Sequence, residues 1–399
     1  CLGFMVYLKT LHYNISYKDL PFCLYQFSQK FRDELRARGG LLRLREFLMK
    51  DAYSFHSSKD EFETYYLKMT DLYRKIFDEL GLKTSVVKSD NGYIGGEYCH
   101  ELVVESEIGE SKYFVAGEYA AHEDIASFDR GELSNNEDRL DLSKIQAIRG
   151  KSIQDGVELH NKPAEKHLKN VCYIADDSIA VIAVIRGDYE INEIKLQRLL
   201  DVSKLELMTD EQIIEYLGSV PGFVGPVGIK KVGGEIESLR VVADSSSVTV
   251  ANSISGANEL NFDYININYD RDWNADIVGD IALAKAGYLL SGEELIEKKG
   301  IEVGNVFQLG EHYSSRMDAT FTDSKGNNMY YYMGCYGIGI DRTLATIVEI
   351  HSQQGELIWP TSIAPFLVEI ITLTKDQEKL EIVDKLEEIF IGSKISYLI

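Results

Sequence analysis

Two stretches of similar texture, residues 21 to about 117 and those from about 292 onward, flank a stretch of a different kind. This return constrains the fold more than any other feature of the chain. In the first stretch, Pro21 to Glu34 and Leu42 to Phe55 carry apolar and aromatic residues at strand-like spacing. The basic, glycine-containing turn Arg36-Ala37-Arg38-Gly39-Gly40 separates them, which predicts a hairpin. Lys59 to Leu80 repeats its apolar residues at helical spacing (Phe62, Tyr66, Met69, Tyr73, Ile76), and Gly81 supplies a stop. Polar, acidic residues 122 to about 142 read as a linker, and 150 to 290 as a compact α+β unit. Its expected elements are a buried strand from Ile179 to Ile185, a helix from Glu193 to Leu200, and strands at Leu239 to Ala243 and Tyr264 to Tyr269. After 292 the first texture resumes: a strand at Tyr330 to Met333 enters a glycine-rich turn, and a helix follows to about Ile350. The order predicts an α+β domain interrupted by an inserted domain. The expected segments are 1–121, 122–291 (the insertion), 292–360, and a final β–α start at 361–399 too short to bury a core of its own.

Composition narrows the partners. With 42 Lys+Arg against 64 Asp+Glu among 399 residues, the net charge is −22. That excludes a protein that coats nucleic acid along its length, while leaving room for a local basic patch. DNA and membranes are not expected partners, since no apolar run approaches the roughly 18 residues of a membrane span. The five cysteines (Cys1, Cys23, Cys99, Cys172, Cys335) never fall in a C-x-x-C spacing. This argues against a disulfide framework or zinc ribbon and for a reducing, cytoplasmic compartment. No signal peptide is recognisable. A start at Cys1 predicts a fragment of a longer chain.

Two stretches carry chemistry. In Phe31-Arg32-Asp33-Glu34, Arg32 and Glu34 project from one strand face, a cation and a carboxylate side by side. They could bind a phosphate and a donor group, or form a solvated salt-bridge patch. Across the hairpin, Arg45-Glu46-Phe47 through Ser54-Phe55-His56 adds an arginine, an aromatic able to stack on a base or pack in a core, and a histidine. In Gly334 to Arg342 the glycines fall as G-x-x-G-x-G, not the Rossmann spacing. Such glycines allow close approach of a ligand, or close helix–strand packing, and Arg342 could meet a terminal phosphate.

Taken together, Tyr25-Gln26 through Glu34 and Arg45 through His56 closely resemble motif 2 of bacterial-type prolyl-tRNA synthetases, and Met333 through Arg342 resembles their motif 3. Gly95-Gly96 with His100-Glu101, Gly304 with Phe307-Gln308-Leu309-Gly310, and Ile358-Trp359-Pro360 with Ala364-Pro365-Phe366 also match, from about Leu20 to Phe366. The resemblance implies a class II synthetase fold: an antiparallel sheet with flanking helices. It implies that proline and ATP are joined as prolyl adenylate and that proline is passed to tRNA(Pro), with Mg²⁺ as cofactor and a homodimer as the assembly. Arg32 would hold the α-phosphate, Glu34 the adenine side, and Phe47 would stack on adenine with Arg45 nearby. Gln308 would belong to the nucleotide site, Arg342 would bind the γ-phosphate, and His56 and Cys335 would line the prolyl pocket. Attack of a carboxylate on the α-phosphorus needs no protein nucleophile, only positioning and stabilisation of charge.

The inserted unit resembles the editing domain of the same family, which hydrolyses mistakenly made alanyl-tRNA(Pro). Missing methylenes in a binding pocket are worth only about 1–3 kcal/mol, so a proline pocket cannot strongly exclude alanine. The matching residues are Lys169, Arg186-Gly187-Asp188, Asn192, Lys195, Gly222, Gly225-Pro226, Asp244 and Gly256-Ala257-Asn258. Lys169 aligns with the lysine central to deacylation and Asp244 with a carboxylate that positions substrate. Asp263 stands where the family often has His, implying weakened or retuned editing, and Cys99 where it usually has Ser. Residues 1–13 should hold a Thr-x-Glu element that recognises the prolyl amine, but Cys1-Leu2-Gly3 does not match it. Motif 1, which builds the dimer interface, and most of the anticodon-binding domain are expected outside this chain. The alternatives are a remnant that retains only the deacylase, or one that only binds nucleotide or tRNA.

Overall fold

The computed structural model describes residues 15–131, 137–230, 233–373 and 375–399. The expected Thr-x-Glu region and the centre of the acidic linker lie outside them. The chain divides into two compact units: residues 1–112 with 298–399, and the intervening 113–297.

Unit 1 opens with the hairpin. Strand β1 (Phe22–Phe31) pairs antiparallel with β2 (Glu46–His56), Gln26 opposite Asp51. Helix α1 (Lys59–Glu79) follows, its first turn closed by the Ser58 side chain, which accepts from Glu61 N–H. Gly81, at φ 76°, turns the chain out of the helix, and Leu82 N–H donates back to the Phe77 carbonyl at 2.8 Å. Strands β3 (Thr84–Ser89) and β4 (Tyr98–Glu105) complete this part.

Unit 2 contains β5 (Ser143–Gln146), α2 (Ile153–His160), β6 (Leu168–Ala175), β7 (Ile179–Arg186), α3 (Glu193–Leu200), β8 (Leu205–Leu207), α4 (Asp210–Leu217), β9 (Ser238–Asp244), β10 (Ser253–Gly256), β11 (Phe262–Ile267) and β12 (Ile277–Gly279). Its main sheet runs β8-β6-β7-β9-β12, with β9 parallel to both β7 and β12. The continuous apolar run of β7 is explained by its central place, covered on both faces. A second sheet, β10-β11-β5, is antiparallel. Asn192 caps α3, accepting from the N–H groups of Ile194 and Lys195 at 3.1 Å.

The chain returns to unit 1 through β13 (Ile296–Gly310), β14 (Tyr332–Gly339) and α5 (Ile340–His351). Six strands then stand in the order β1-β2-β14-β13-β4-β3, all neighbours antiparallel. Helix α1 covers one face of this sheet with Phe62, Tyr66, Met69, Tyr73 and Phe77, against Ala52, Val306, Tyr336 and Ile338. The glycine-rich stretch, expected as a turn, is strand: Gly334 through Gly339 all lie in β14. A Cβ on Gly334 would sit 2.3 Å from the Tyr336 hydroxyl, so that position requires glycine. The C-terminal segment is a β–α–β turn, Val368–Glu369 pairing parallel with Tyr397–Leu398 around α6 (Gln377–Gly392).

Candidate functional site

Strand alternation decides which side chains of unit 1 share a space. Along β2, Phe47, Met49, Asp51 and Tyr53 project to one face. Their partners on β14 are Gly339, Gly337 and Cys335, opposite Met49, Asp51 and Tyr53 in turn. On β13, Phe307 continues the Cys335 row and Asn305 the Gly337 row. With two glycines among them, these positions leave a hollow of about 360 Å³, within the range of small-molecule sites.

Arg32, Glu34, Phe47, Cys335 and Arg342 all line this hollow. The Arg32 N–H donates to the Arg45 carbonyl at 2.9 Å, and its guanidinium stands 5.1 Å from the centre of the Phe47 ring. Glu34 pairs with Arg43 at 2.9 Å, and that hydrogen bond holds the Glu34 carboxyl below its ordinary range. Arg43 also reaches Glu110 at 2.7 Å. Arg342 lies in the first turn of α5, where its Nε donates to the Leu42 carbonyl at 2.9 Å and its Nη1 lies 3.3 Å from Glu302. The neighbouring Asp341 clamps that helix start to β2 by accepting from Leu48 N–H at 2.6 Å. Burial pushes the Cys335 thiol up to about 11, so it stays neutral at physiological pH.

Three expected residues stand elsewhere. His56 falls on the opposite strand face and is fully buried against Phe62 and Tyr65, its Nε2 2.8 Å from the Ser54 hydroxyl. Burial lowers its pKa to about 4. Gln308 lies in the row of Gly334 and Ser54 on the same buried face; it donates to the Tyr332 hydroxyl and accepts from Glu97 N–H at 3.0 Å. Arg45 is exposed outside the lining, its Nε donating to the Glu34 carbonyl at 2.9 Å. Conversely, the sequence reading missed Asp51, Tyr53, Arg43 and Glu302, which line the hollow. The alternation of β2 from Phe47 onward was the signal that marks Asp51 and Tyr53.

Unit 2 has its own cavity, about 660 Å³, lined by Lys169 and Asp263 together with Arg149, His167, Asn170 and Glu190. Lys169 Nζ donates to the Tyr189 carbonyl at 2.9 Å and to Glu190 at 2.8 Å. Asp263 receives both Nε and Nη2 of Arg149, at 2.7 and 2.6 Å, and lies 2.8 Å from His160 Nε2. Burial pushes the Asp263 carboxyl up, but hydrogen bonds from His160 and Arg149 outweigh it and hold it below its ordinary value. Asp244, expected as a carboxylate that positions substrate, is not part of the lining. It is fully buried at the end of β9, accepting from the N–H groups of Ser246 at 2.9 Å and Ile281 at 3.0 Å and pairing with Arg130 at 3.2 Å. The other matching residues shape the backbone. A Cβ on Gly225 would come within 1.9 Å of the Gly256 carbonyl oxygen, and Asn258 accepts from Gly225 N–H at 3.0 Å.

A family model described as "tRNA synthetase class II core domain (G, H, P, S and T)" matches residues 6–351. Proline--tRNA ligase of Bacillus subtilis is 41% identical over 376 residues, covering 93% of this chain and 65% of that protein. The Bacillus pumilus and Endomicrobium trichonymphae enzymes of the same name are each 40% identical, covering 94% and 91% of this chain and 66% and 63% of their own lengths. The chain thus spans just under two thirds of these relatives. A solved prolyl-tRNA synthetase of Cryptosporidium parvum, complexed with L-proline and AMP, aligns with a TM-score of 0.46 at 12% identity, covering 99% of this chain and 43% of that one. With the family match over residues 6–351, the chain belongs to the class II tRNA synthetase core-domain family.

Proposed function

We propose that unit 1 activates proline with ATP and transfers it to tRNA(Pro), and that unit 2 hydrolyses alanyl-tRNA(Pro). The observation that carries the first half is the polarity of the unit 1 hollow. Arg32 and Arg342 stand with Phe47 at one part of it, and Tyr53, Phe307 and Cys335 wall another. In this reading a carboxylate oxygen of proline attacks the α-phosphorus, the P–O bond to pyrophosphate breaks, and the electron pair leaves with pyrophosphate. Arg32 neutralises charge at the α-phosphate, Arg342 holds the γ-phosphate, and Phe47 offers its ring to the adenine. Arg43 must yield Glu34 for that carboxylate to accept from the base.

Among the described residues no group of three or more His, Cys, Asp or Glu side chains forms a metal site. Glu302, beside Arg342, is the carboxylate that would help hold a Mg²⁺, which would supply positive charge where negative charge builds up on the phosphates. In unit 2, water adds to the ester carbonyl and the tRNA ribose oxygen departs with a proton. Lys169 and Asp263 are the charged groups of that cavity, and Asp244 acts by holding the strand end rather than by touching substrate. A cytoplasmic homodimer is the expected assembly. No helix among the described residues is long and apolar enough to cross a membrane.

Amino-acid-dependent ATP–pyrophosphate exchange tests the reading. Exchange with proline, less with alanine and none without amino acid is the expected result. ATP binding without proline-dependent exchange would overturn the activation half for this chain.

A further inference from the structure

Strand β7 ends at Arg186, and the turn that follows, Arg186 to Glu190, comes back to β6, where Lys169 stands opposite Ile185. Several contacts fix this turn. The buried Arg186 guanidinium donates to Asp188 at 2.6 and 2.8 Å, to the Tyr189 hydroxyl at 2.6 Å and to the Gly131 carbonyl at 2.9 Å. A Cβ on Gly187 would meet the Ala164 carbonyl oxygen at 2.5 Å, so only glycine packs there. Leu283 N–H donates to the Glu190 carbonyl at 2.8 Å. Arg186 and Asp188, two of the residues matched to the editing domain, lie outside the cavity lining and instead hold the backbone.

The braced turn presents two acceptors to one cation. Lys169 Nζ donates to the Tyr189 carbonyl at 2.9 Å and to Glu190 Oε1 at 2.8 Å, and both Lys169 and Glu190 line the cavity. An ammonium carries three N–H donors, so two fixed acceptors set its direction and leave one donor over. The Glu190 side chain is 52% exposed and that of Lys169 21%, and a pair so open to water adds little to stability. What it supplies is order. A lysine side chain otherwise samples many rotamers, and a substrate would have to select one of them.

We infer that Glu190 is a positioning residue: with the Tyr189 carbonyl it holds Lys169 so that the remaining N–H is directed into the cavity, at the ester carbonyl oxygen of the substrate. This rests on the reading of unit 2 as a hydrolase of alanyl-tRNA(Pro). Negative charge gathers on that oxygen as water adds, and a donor already aimed there needs no reorganisation. Glu190 acts through Lys169 and does not touch the substrate.

Hydrolysis of alanyl-tRNA(Pro) by the unaltered chain is measured first; its absence overturns the hydrolase reading and this inference with it. Given hydrolysis, Glu190→Ala should lower kcat about tenfold, with KM within about twofold and the midpoint of thermal unfolding unchanged. Glu190→Gln keeps an oxygen acceptor and should recover most of that loss. The deciding variant combines Glu190→Ala with Lys169→Ala. It should hydrolyse as slowly as Lys169→Ala alone, within about twofold, because Glu190 has nothing left to position. A further loss of about tenfold in the double variant, or an unchanged kcat in Glu190→Ala, overturns the inference while the hydrolase reading stands. Where Glu190→Ala fails to fold, Glu190→Asp takes its place with the same expectations, since it keeps the charge but falls short of Nζ.

Discussion

The two cavities handle charge in opposite ways. In unit 1 the arginine ion pairs are partly open to solvent: the Arg43 side chain is 39% exposed and those of Arg342 and Glu302 are 33% and 32%. In unit 2 the Arg149–Asp263–His160 cluster is sealed, its side chains 10%, 1% and 7% exposed. An exposed pair is worth about 0–1 kcal/mol, so a polyphosphate can take the arginines from their carboxylates at little cost. A buried pair resists separation, because removing one partner strands a charge away from water. The arginines of the first cavity are therefore free to exchange ionic partners, and the Arg149 cluster of the second is built to keep them.

Substitutions can break that contrast. The largest expected effect is that of Arg342→Ala, which should lower ATP–pyrophosphate exchange by roughly 10³-fold or more while leaving hydrolysis of alanyl-tRNA(Pro) within twofold. Lys169→Ala should do the reverse, lowering hydrolysis on the order of 10²-fold with exchange unchanged; parallel assays of both reactions would expose any coupling. Asp244→Ala should destabilise unit 2 by about 1–3 kcal/mol, since it leaves two buried backbone donors unpaired and removes one of the two carboxylates that hold Arg130. Thermal unfolding would register it, and a loss of hydrolysis at full stability would instead place Asp244 in contact with substrate. Arg45→Ala, outside the lining, should cost exchange about tenfold at most, the worth of a single hydrogen bond.

Acid sharpens the comparison. Burial lowers His56 in unit 1 and His167 in unit 2 to about 4, against roughly 6.5 when unfolded. Their folded pKa values are depressed, so the unfolded chain binds protons first as pH falls. Stability should hold above about pH 6.5 and decline from there toward pH 4 in both units, as followed by chemical unfolding. Asp263, also depressed, contributes stability above the ordinary carboxylate pKa that is lost as pH falls through its folded value, so unit 2 should weaken further under stronger acid. Asp263→Asn should flatten that last phase alone.

How much was legible depended on whether periodicity alone sufficed. The hairpin, α1, the buried strand β7 and helix α3 followed from spacing and punctuation, and the α+β class with them. The strand–turn–helix reading of Gly334 to Arg342 was not recovered. Gly334 serves packing beneath Phe62, a demand set by a helix far away in sequence, while Gly337 and Gly339 leave room in the hollow. At the site, the resemblance to the family's motifs pointed to Arg32, Glu34, Phe47, Cys335 and Arg342, which share the hollow. His56 and Gln308 stand across the sheet because motif matching ignores which way a strand residue points, though alternation from Phe47 carries that information. Arg43 could not be singled out, as its pairing with Glu34 and Glu110 depends on the course of a loop. Asp244 needed its partners Arg130, Ser246 and Ile281 to be distinguished from a cavity residue.

The strict alternation of β2 also determines what kinds of genetic change this chain can survive. Odd positions from Phe47 to Tyr53 face the hollow, and even positions from Leu48 to His56 face α1 or its surroundings. One codon gained or lost inside the strand would invert every later side chain, putting Lys50 or Ser54 into the hollow and Asp51 beneath the helix. Two codons together would preserve the facing and only shift the row. The turn from Arg36 to Gly40 bears no such parity, so length variants in a lineage of such chains should gather there and be purged from the strand.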